Sequence, residues 1–259
     1  MAMQNIYEAY KIFLIAMSIT ALIVFIALFF VTAGYGKFTT EKWGATLNNK
    51  AGWVLMESPV FFTMLILWVC SPRRFMIAPL IMFLLFETHY FHRSFIFPAL
   101  LKGKSRMPVS IISMGVTFNL LNAIMQGGWL FYFSAPDRYP SSWLCSPQFI
   151  AGTIIFIFGM FINMQSDKII RNLRKPGDTA HYLPHGGIYN YVTSANYFGE
   201  ILEWTGFAIL TWSAAGAVFA WWTFANLVPR SAEIYKKYCT DFPGQVEEKK
   251  LKRIFPFIW

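Results

Sequence analysis

The chain of 259 residues is 56% hydrophobic and 19% aromatic but only 14% charged, with a mean hydropathy of +0.45. Soluble domains run at about 25% charged and 45–50% apolar, so the composition argues against an ordinary cytosolic protein and excludes a disordered chain, a collagen, a coiled coil and a disulfide scaffold. The net charge of +9, from 22 Lys and Arg against 13 Asp and Glu, is read through its distribution and not as a nucleic-acid signal. Cys70, Cys145 and Cys239 are odd in number and far apart, with no metal-ligand spacing.

Seven apolar stretches, near residues 11–33, 53–70, 75–101, 108–133, 148–170, 196–213 and 215–237, approach the length needed to cross a hydrocarbon core. A core of about 30 Å takes roughly 20 helical residues. The first stretch is too long for a signal-peptide core and no small-residue cleavage site follows it. No internal repeat is visible. The expectation is an all-α polytopic bundle of seven transmembrane helices forming one domain over 1–259. With the N-terminus outside or lumenal, the inner segments hold 17 Lys and Arg and the outer segments four, with Arg93 inside a span. That bias places the C-terminus in the cytosol. Nothing decides between a bacterial inner membrane and the endoplasmic reticulum.

The longest inner loop, about 171–195, is dense in Tyr, His and Arg and punctuated by Pro176, Gly177, Pro184, Gly186 and Gly187. Long ordered loops in compact proteins tend to be functional. With the C-terminal segment 238–259, it lies on the predicted cytosolic side.

Polar residues within spans are costly and point to function. They are Glu57 in the second span, Glu87, His89, Tyr90, His92 and Arg93 in the third, and Asn122 and Gln126 in the fourth. Asn163 and Asp167 follow in the fifth, and Asn196, Glu200 and Glu203 in the sixth. On a helix Asn163, Asp167 and Arg174 fall within about 40° of one another, and Asn196, Glu200 and Glu203 share a second face. Amide, carboxylate and guanidinium groups gathered at the cytosolic end suit a ligand with ribose, amide and phosphate parts. The competing reading is hydrogen-bonded glue between helices.

Glu57 and Tyr90 stand among Trp53, Met56, Phe86, Phe91 and Phe97. A carboxyl kept protonated by apolar surroundings and a phenol are two donors that can converge on a carbonyl oxygen and stabilise a developing enolate. Alternatively Glu57 pairs with Arg93 or a histidine. Four histidines are too few for a membrane di-iron box, and His89-x-x-His92 is expected to form hydrogen bonds and not to hold a metal. No G-x-G-x-x-G follows a strand, and a P-loop and a G-x-S-x-G elbow are absent, so a nucleotide cofactor would bind without a Rossmann fold.

Several motifs then resemble those of the steroid 5-alpha-reductase family. Asn163-Met-Gln-Ser-Asp167, followed by Arg171-Asn-Leu-Arg174-Lys175-Pro176-Gly177, is similar to its NIHSD…LRxLRKPG run. Gly186-Gly187-Ile-Tyr-Asn-Tyr191-Val and Ala195-Asn196-Tyr-Phe-Gly199-Glu200-Ile-Leu-Glu203-Trp204 are similar to GGLFxYV…ANYFGEIxEW. His89-Tyr90-Phe-His92-Arg93 resembles HYxHR, Trp53 with Glu57-Ser-Pro59 resembles W…QELP, Tyr35-Gly36-Lys37 resembles YGK, and Phe255-Pro256-Phe257 resembles the terminal IPF. The resemblance runs in order along nearly the whole chain. It departs at Met56, where the family often has Gln, at His181, which takes the family's Tyr position with Tyr182 beside it, and at Ile234, where the family usually has His.

The resemblance implies an NADPH-dependent membrane oxidoreductase that reduces the Δ4 double bond of 3-oxo-steroids, with hydride to C5 and a proton to C4. On this basis Glu57 and Tyr90 would hold the 3-carbonyl. Asn163, Asp167, Arg174, Asn196, Glu200, Arg230 and Tyr238 would bind the cofactor, and Trp53, Tyr35 and Phe118 would line the steroid pocket. The expected partners are a lipophilic 3-oxo-Δ4 steroid and the lipid bilayer, with no nucleic acid and no obligatory protein partner. The alternatives are a related reductase of a polyprenol, an enoyl-CoA or a sterol, an isoprenylcysteine-type methyltransferase, and a non-enzymatic transporter or scaffold.

Overall fold

The helices that start at Asn49, Pro147 and Ala214 begin where a side chain satisfies one or more of their first free N–H groups. In the computed structural model, which describes residues 2–31, 34, 43–102, 105–173 and 182–259, α1 runs Ala2–Ala27 and α2 runs Asn49–Val69. The Asn48 side-chain oxygen caps α2, accepting from the N–H groups of Lys50 and Ala51 at 2.9 and 3.5 Å. Helix α3 (Ile77–Phe91) passes through a π-turn at His92–Ile96 into α4 (Phe97–Leu100), so that the three form one rod. Helix α5 (Val109–Gly128) also ends in a π-turn, Trp129–Phe133.

Ser146 caps α6 (Pro147–Asn172) by accepting from the Phe149 N–H at 3.2 Å. Helix α7 (Ala195–Thr211) stops at Trp212, whose φ of 45° turns the chain. Ser213 then caps α8 (Ala214–Asp241), accepting from the Gly216 N–H at 3.0 Å. A short α9 (Gln245–Glu248) follows. The extended pieces among the described residues include an antiparallel ribbon, β1 (Thr46–Asn48) on β2 (Arg106–Pro108), with Thr46 opposite Pro108.

The mostly helical expectation holds. Among the described residues, four helical stretches are long and apolar enough to cross a membrane: Gln4–Ala27, Asn49–Val69, Val109–Phe133 and Pro147–Asn172. Their outward faces are apolar, as at Ile12, Ile15, Ile19 and Ile23 on α1 and Ile154, Ile157, Phe158 and Phe161 on α6. Exposed hydrophobic surface of this extent fits lipid and not water. The third expected span, 75–101, is broken by the π-turn, α7 has only 17 residues, and α8 carries Arg230, Glu233, Lys236 and Lys237 in its last half.

The core centres on Trp204 of α7, whose ring lies 4.3 Å from Phe219 of α8 and 5.6 Å from Phe86 of α3. Behind it, α6 and α7 meet backbone to backbone. A Cβ on Gly152 would meet the Gly206 carbonyl oxygen at 2.7 Å, and one on Gly159 would meet the Gly199 carbonyl oxygen at 2.7 Å. Reciprocally, Gly199 and Gly206 lie against the backbones of Asn163 and Phe156. On both helices the pair is seven residues apart, so two turns lie between contacts on one face. Close approach through small residues is the usual way to pack helices where no hydrophobic drive exists between them.

On the other side of the bundle, glycines face side chains. Gly115 of α5 lies against Met56, and Gly127 against Leu67 and Met64. Overpacking costs roughly 1–3 kcal/mol, and more where the neighbour is rigid. Gly206→Ala should therefore lower the thermal-melting midpoint of detergent-purified protein clearly more than Gly127→Ala, because methionine and leucine side chains can move aside and backbone cannot. Equal shifts would contradict the rigid seam.

Candidate active site

Three polar residues of α5, Asn119, Asn122 and Gln126, recur at spacings of three and four and so share one helix face. All three are buried. The Asn119 amide donates to the Met56 carbonyl oxygen at 2.7 Å and to Glu57 Oε2 at 3.1 Å. The Asn122 amide donates to the Tyr90 hydroxyl oxygen at 3.0 Å. Gln126 donates to Asn122 Oδ1 at 3.4 Å and to the Ala215 carbonyl oxygen at 2.9 Å, tying the row to α8. One helix therefore sets both Glu57 of α2 and Tyr90 of α3, one turn apart.

The bond from Asn122 has a chemical consequence. It fills an acceptor position on the Tyr90 oxygen, leaving the phenolic hydrogen to be donated elsewhere. Tyr90 is wedged between Phe86, at 4.7 Å between ring centroids, and Trp204, at 5.7 Å. His89 pairs with Glu203 of α7 at 2.8 Å, in agreement with the hydrogen-bonding role expected of it.

Arg93, in the π-turn, takes partners other than the one considered from sequence. Its guanidinium donates to Asp167 Oδ2 at 3.3 Å and lies 3.9 Å from Glu200 Oε2, with Glu57 left to Asn119. It also lies over the rings of Trp53 and Phe97, each at 4.6 Å. Trp53 is one turn before Glu57 on α2, so this aromatic–cation stack adjoins the carboxyl.

At the α6–α7 end, the Asn163 amide donates to the Asn196 carbonyl oxygen at 3.0 Å. The Asn196 amide donates to Asp167 Oδ1 at 3.2 Å, and the Tyr189 hydroxyl donates to Asn196 Oδ1 at 3.3 Å. Burial pushes the Tyr189 phenol well above its ordinary range, which keeps it a neutral donor. Four residues of the two expected faces, Asn163, Asp167, Asn196 and Glu200, thus meet in one network with Arg93, while Glu203 turns to His89 and Arg174 lies outside the described residues.

The C-terminal strand-like segment closes this end. Thr193 and Ser194 N–H groups donate to the carbonyl oxygens of Lys252 and Arg253 at 2.8 and 3.1 Å, and the Lys252 N–H donates to the Tyr191 oxygen at 2.8 Å. Phe255 packs 6.3 Å from Phe198 and 6.1 Å from Phe224, which accounts for the aromatic residue of the closing motif.

Other expected site residues lie around this centre. Arg230 of α8 has its guanidinium 5.4 Å from the Tyr197 ring, and Tyr238 packs 5.9 Å from Phe242 beside Leu183 and Leu251. Phe118 faces α8, 4.8 Å from Trp222 and 6.1 Å from Phe219. Tyr35, Arg174 and His181 lie outside the described residues. Sequence reasoning passed over Asn119, although its spacing from Asn122 and Gln126 was a usable signal. It also named Arg93 without a role at this site.

The network retains bonding capacity. The hydroxyls of Ser166 and Ser194 and Glu203 Oε2 are buried without a hydrogen-bond partner among the described residues. The amides, carboxylates and guanidinium of the network are the kinds of group that bind the ribose, amide and phosphate parts of a dinucleotide. Among the described residues no cluster of His, Cys, Asp and Glu suits a metal ion.

Known proteins are similar to this chain along most of its length. The sequence pattern of the family described as 3-oxo-5-alpha-steroid 4-dehydrogenase matches residues 105–259. "Steroid 5-alpha-reductase DET2" of Gossypium hirsutum is 35% identical over 259 residues, covering 95% of this chain and 96% of the relative. "3-oxo-5-alpha-steroid 4-dehydrogenase 1" of Homo sapiens is 37% identical over 227 residues, covering 87% and 86%. "Steroid 5-alpha-reductase DET2" of Arabidopsis thaliana is 34% identical over 236 residues, covering 89% of each. The matched span takes in helices α5, α6 and α7, and the chain belongs to the 3-oxo-5-alpha-steroid 4-dehydrogenase family.

Proposed function

We propose that the protein is an NADPH-dependent reductase of the Δ4 double bond of 3-oxo-steroids, adding hydride at C5 and a proton at C4 to give 5-alpha-reduced products. The observation that carries this reading is the α5 row that fixes Glu57 and Tyr90 side by side. Asn119 occupies one oxygen of Glu57, so a proton on the carboxyl is directed to the other. Asn122 occupies an acceptor site of Tyr90, so its hydrogen is free for substrate. Both groups then donate to the 3-carbonyl oxygen, drawing electron density from C5 and stabilising the enolate that forms. The cofactor, when bound, supplies the hydride.

Asn163, Asp167, Asn196, Glu200, Arg230 and Tyr238 of this chain, with Arg174, hold the dinucleotide, and Ser166 and Ser194 add hydroxyls. Arg93 ties Asp167 and Glu200 to Trp53, so the cofactor side and the steroid side are positioned by one cation. Trp53 and Phe118 line the steroid pocket, to which the family resemblance adds Tyr35. Much of the rate gain comes from orientation, which can contribute several kcal/mol.

The chain acts as a single domain of seven crossings, with α3–α4, α7 and α8 joining the four apolar stretches. Its N-terminus is outside or lumenal and its C-terminus cytosolic, in a bacterial inner membrane or the endoplasmic reticulum. The bias of 17 against four basic residues supports this orientation.

Purified protein with NADPH and testosterone or progesterone should yield the 5-alpha-reduced steroid and an equal amount of oxidised cofactor. No turnover of any 3-oxo-Δ4 steroid by folded protein would sink the assignment. Glu57→Gln and Tyr90→Phe should each lower kcat by roughly 10²–10³-fold, the effect of removing one oxyanion donor, while NADPH affinity changes little. Normal rates in both would reject the carbonyl clamp. Asn196→Ala should weaken NADPH binding by roughly tenfold, about one hydrogen bond with its network, with the KM for steroid nearly unchanged. Isothermal titration against steady-state kinetics separates the two.

A further inference from the structure

A side-chain amide donates from its NH2 end and accepts at its oxygen end. The two ends are nearly equal in size, so the neighbours decide which way round it sits. A main-chain carbonyl oxygen only accepts, and an amide in contact with one must turn its NH2 end to it. The α5 row meets such a carbonyl at each end: Asn119 reaches Met56 of α2 at 2.7 Å, and Gln126 reaches Ala215 of α8 at 2.9 Å.

Met56 settles the sense of Asn119. The NH2 group turned to the Met56 oxygen has a second hydrogen, which meets Glu57 Oε2 at 3.1 Å. Oε2 therefore accepts, and a hydrogen carried by the carboxyl stands on Oε1. Glu57 is half-buried, and its Oε1 is not one of the sealed-off oxygens that lack a partner. Turned the other way, Asn119 would face Glu57 with its own oxygen and take that hydrogen. It would also set two oxygens against each other at Met56.

Ala215 settles the other half through a chain of bonds. Gln126 gives one hydrogen to the Ala215 oxygen and the other to Asn122 Oδ1, at 3.4 Å. Asn122, held by its oxygen, turns its NH2 end to the Tyr90 oxygen at 3.0 Å. The phenol oxygen accepts, and the phenolic hydrogen is left over. Asn119, Asn122 and Gln126 are 4%, 0% and 1% exposed, so bulk water does not compete for their ends.

We propose that the main chain sets the direction of hydrogen bonding across the carbonyl clamp: the Met56 and Ala215 oxygens orient the row so that Glu57 and Tyr90 each keep a hydrogen for the substrate oxygen. Asn119 and Gln126 are then positioning residues. Gln126 acts on Tyr90 through Asn122 and bonds neither member of the clamp. The proposal rests on the reading of Glu57 and Tyr90 as donors to a 3-carbonyl.

The test uses the full chain in phosphatidylcholine nanodiscs, with steady-state kinetics and steroid-binding infrared difference spectra. The Glu57 carboxyl band is identified by its loss in Glu57→Gln. Asn119→Leu keeps the volume and removes both bonds. It should lower kcat about tenfold, the order of one lost hydrogen bond, and move the Glu57 band to higher wavenumber. Asn119→Asp has at most one hydrogen and cannot serve both Met56 and Glu57, so kcat should fall further, to about the level of Glu57→Gln. Gln126→Met frees Asn122 to turn; kcat should fall about tenfold with the Glu57 band in place. Added to Tyr90→Phe, which has no phenolic hydrogen to lose, Gln126→Met should cost less than about twofold more. NADPH affinity should stay within about twofold throughout, which loosened packing would not produce.

A Glu57 band unmoved by Asn119→Leu, faster turnover by Asn119→Asp than by Asn119→Leu, additive losses for Gln126→Met and Tyr90→Phe, or NADPH binding weakened in step with kcat would overturn the proposal and leave the clamp standing. Absence of the Glu57 band in the unmodified chain with steroid bound would overturn the clamp and the proposal together.

Discussion

The glycine contact between α6 and α7 is the constraint on which the polar end of the molecule depends. Gly152 and Gly159 face Gly206 and Gly199 with no side chain between them. Only at that separation can the short Asn163 amide reach the Asn196 backbone and the Asn196 amide reach Asp167. A larger residue at the seam would push the helices apart by the width of a methyl group or more, beyond the reach of these side chains. The same contact brings Glu200 and Asp167, from different helices, to one guanidinium.

The membrane setting explains how the remaining polar groups are arranged. In hydrocarbon each polar side chain must find a partner within the protein. Beside pairs such as His89 with Glu203, the bundle uses rows: the α5 row of Asn119, Asn122 and Gln126 serves Glu57, Tyr90 and the α8 backbone in turn. Amides suit the task because each both donates and accepts, so a row can pass hydrogen bonds along while leaving the groups at its edge oriented for a substrate. The π-turn at His92–Ile96 contributes in a different way. The wider turn changes the direction of residues that follow Tyr90, as such turns often do near functional sites, and Arg93 faces α6 and α7 while also lying over Trp53 of α2.

Much of this was legible in the sequence, and what was not has identifiable reasons. Apolar runs located the helices because burial in lipid demands composition before pattern. Asn163, Asp167, Asn196 and Glu200 could be assembled from helical angles because α6 and α7 are regular through those residues. The choice of partner by Arg93 was not legible. Helical spacing does not reveal a π-turn, and the carboxylates of three helices were equally available on paper. Asn119 was overlooked because one amide next to Phe118 resembles packing until its register with Asn122 is considered. The glycine seam needs two helices to be aligned before either pair of glycines has meaning.

The two kinds of glycine contact divide the bundle mechanically. Where backbone meets backbone, as between Gly159 and Gly199, there are no spacers to rotate and the pair resists both shear and separation. Where a glycine meets methionine, as Gly115 meets Met56 on the residue before Glu57, the filling is soft and can change rotamer without moving either helix. The α6–α7 pair therefore behaves as a stiff plate carrying the polar network, and α2 against α5 as a yielding wall. The wall beside Glu57 can change shape by rotamer, while the plate opposite keeps its register.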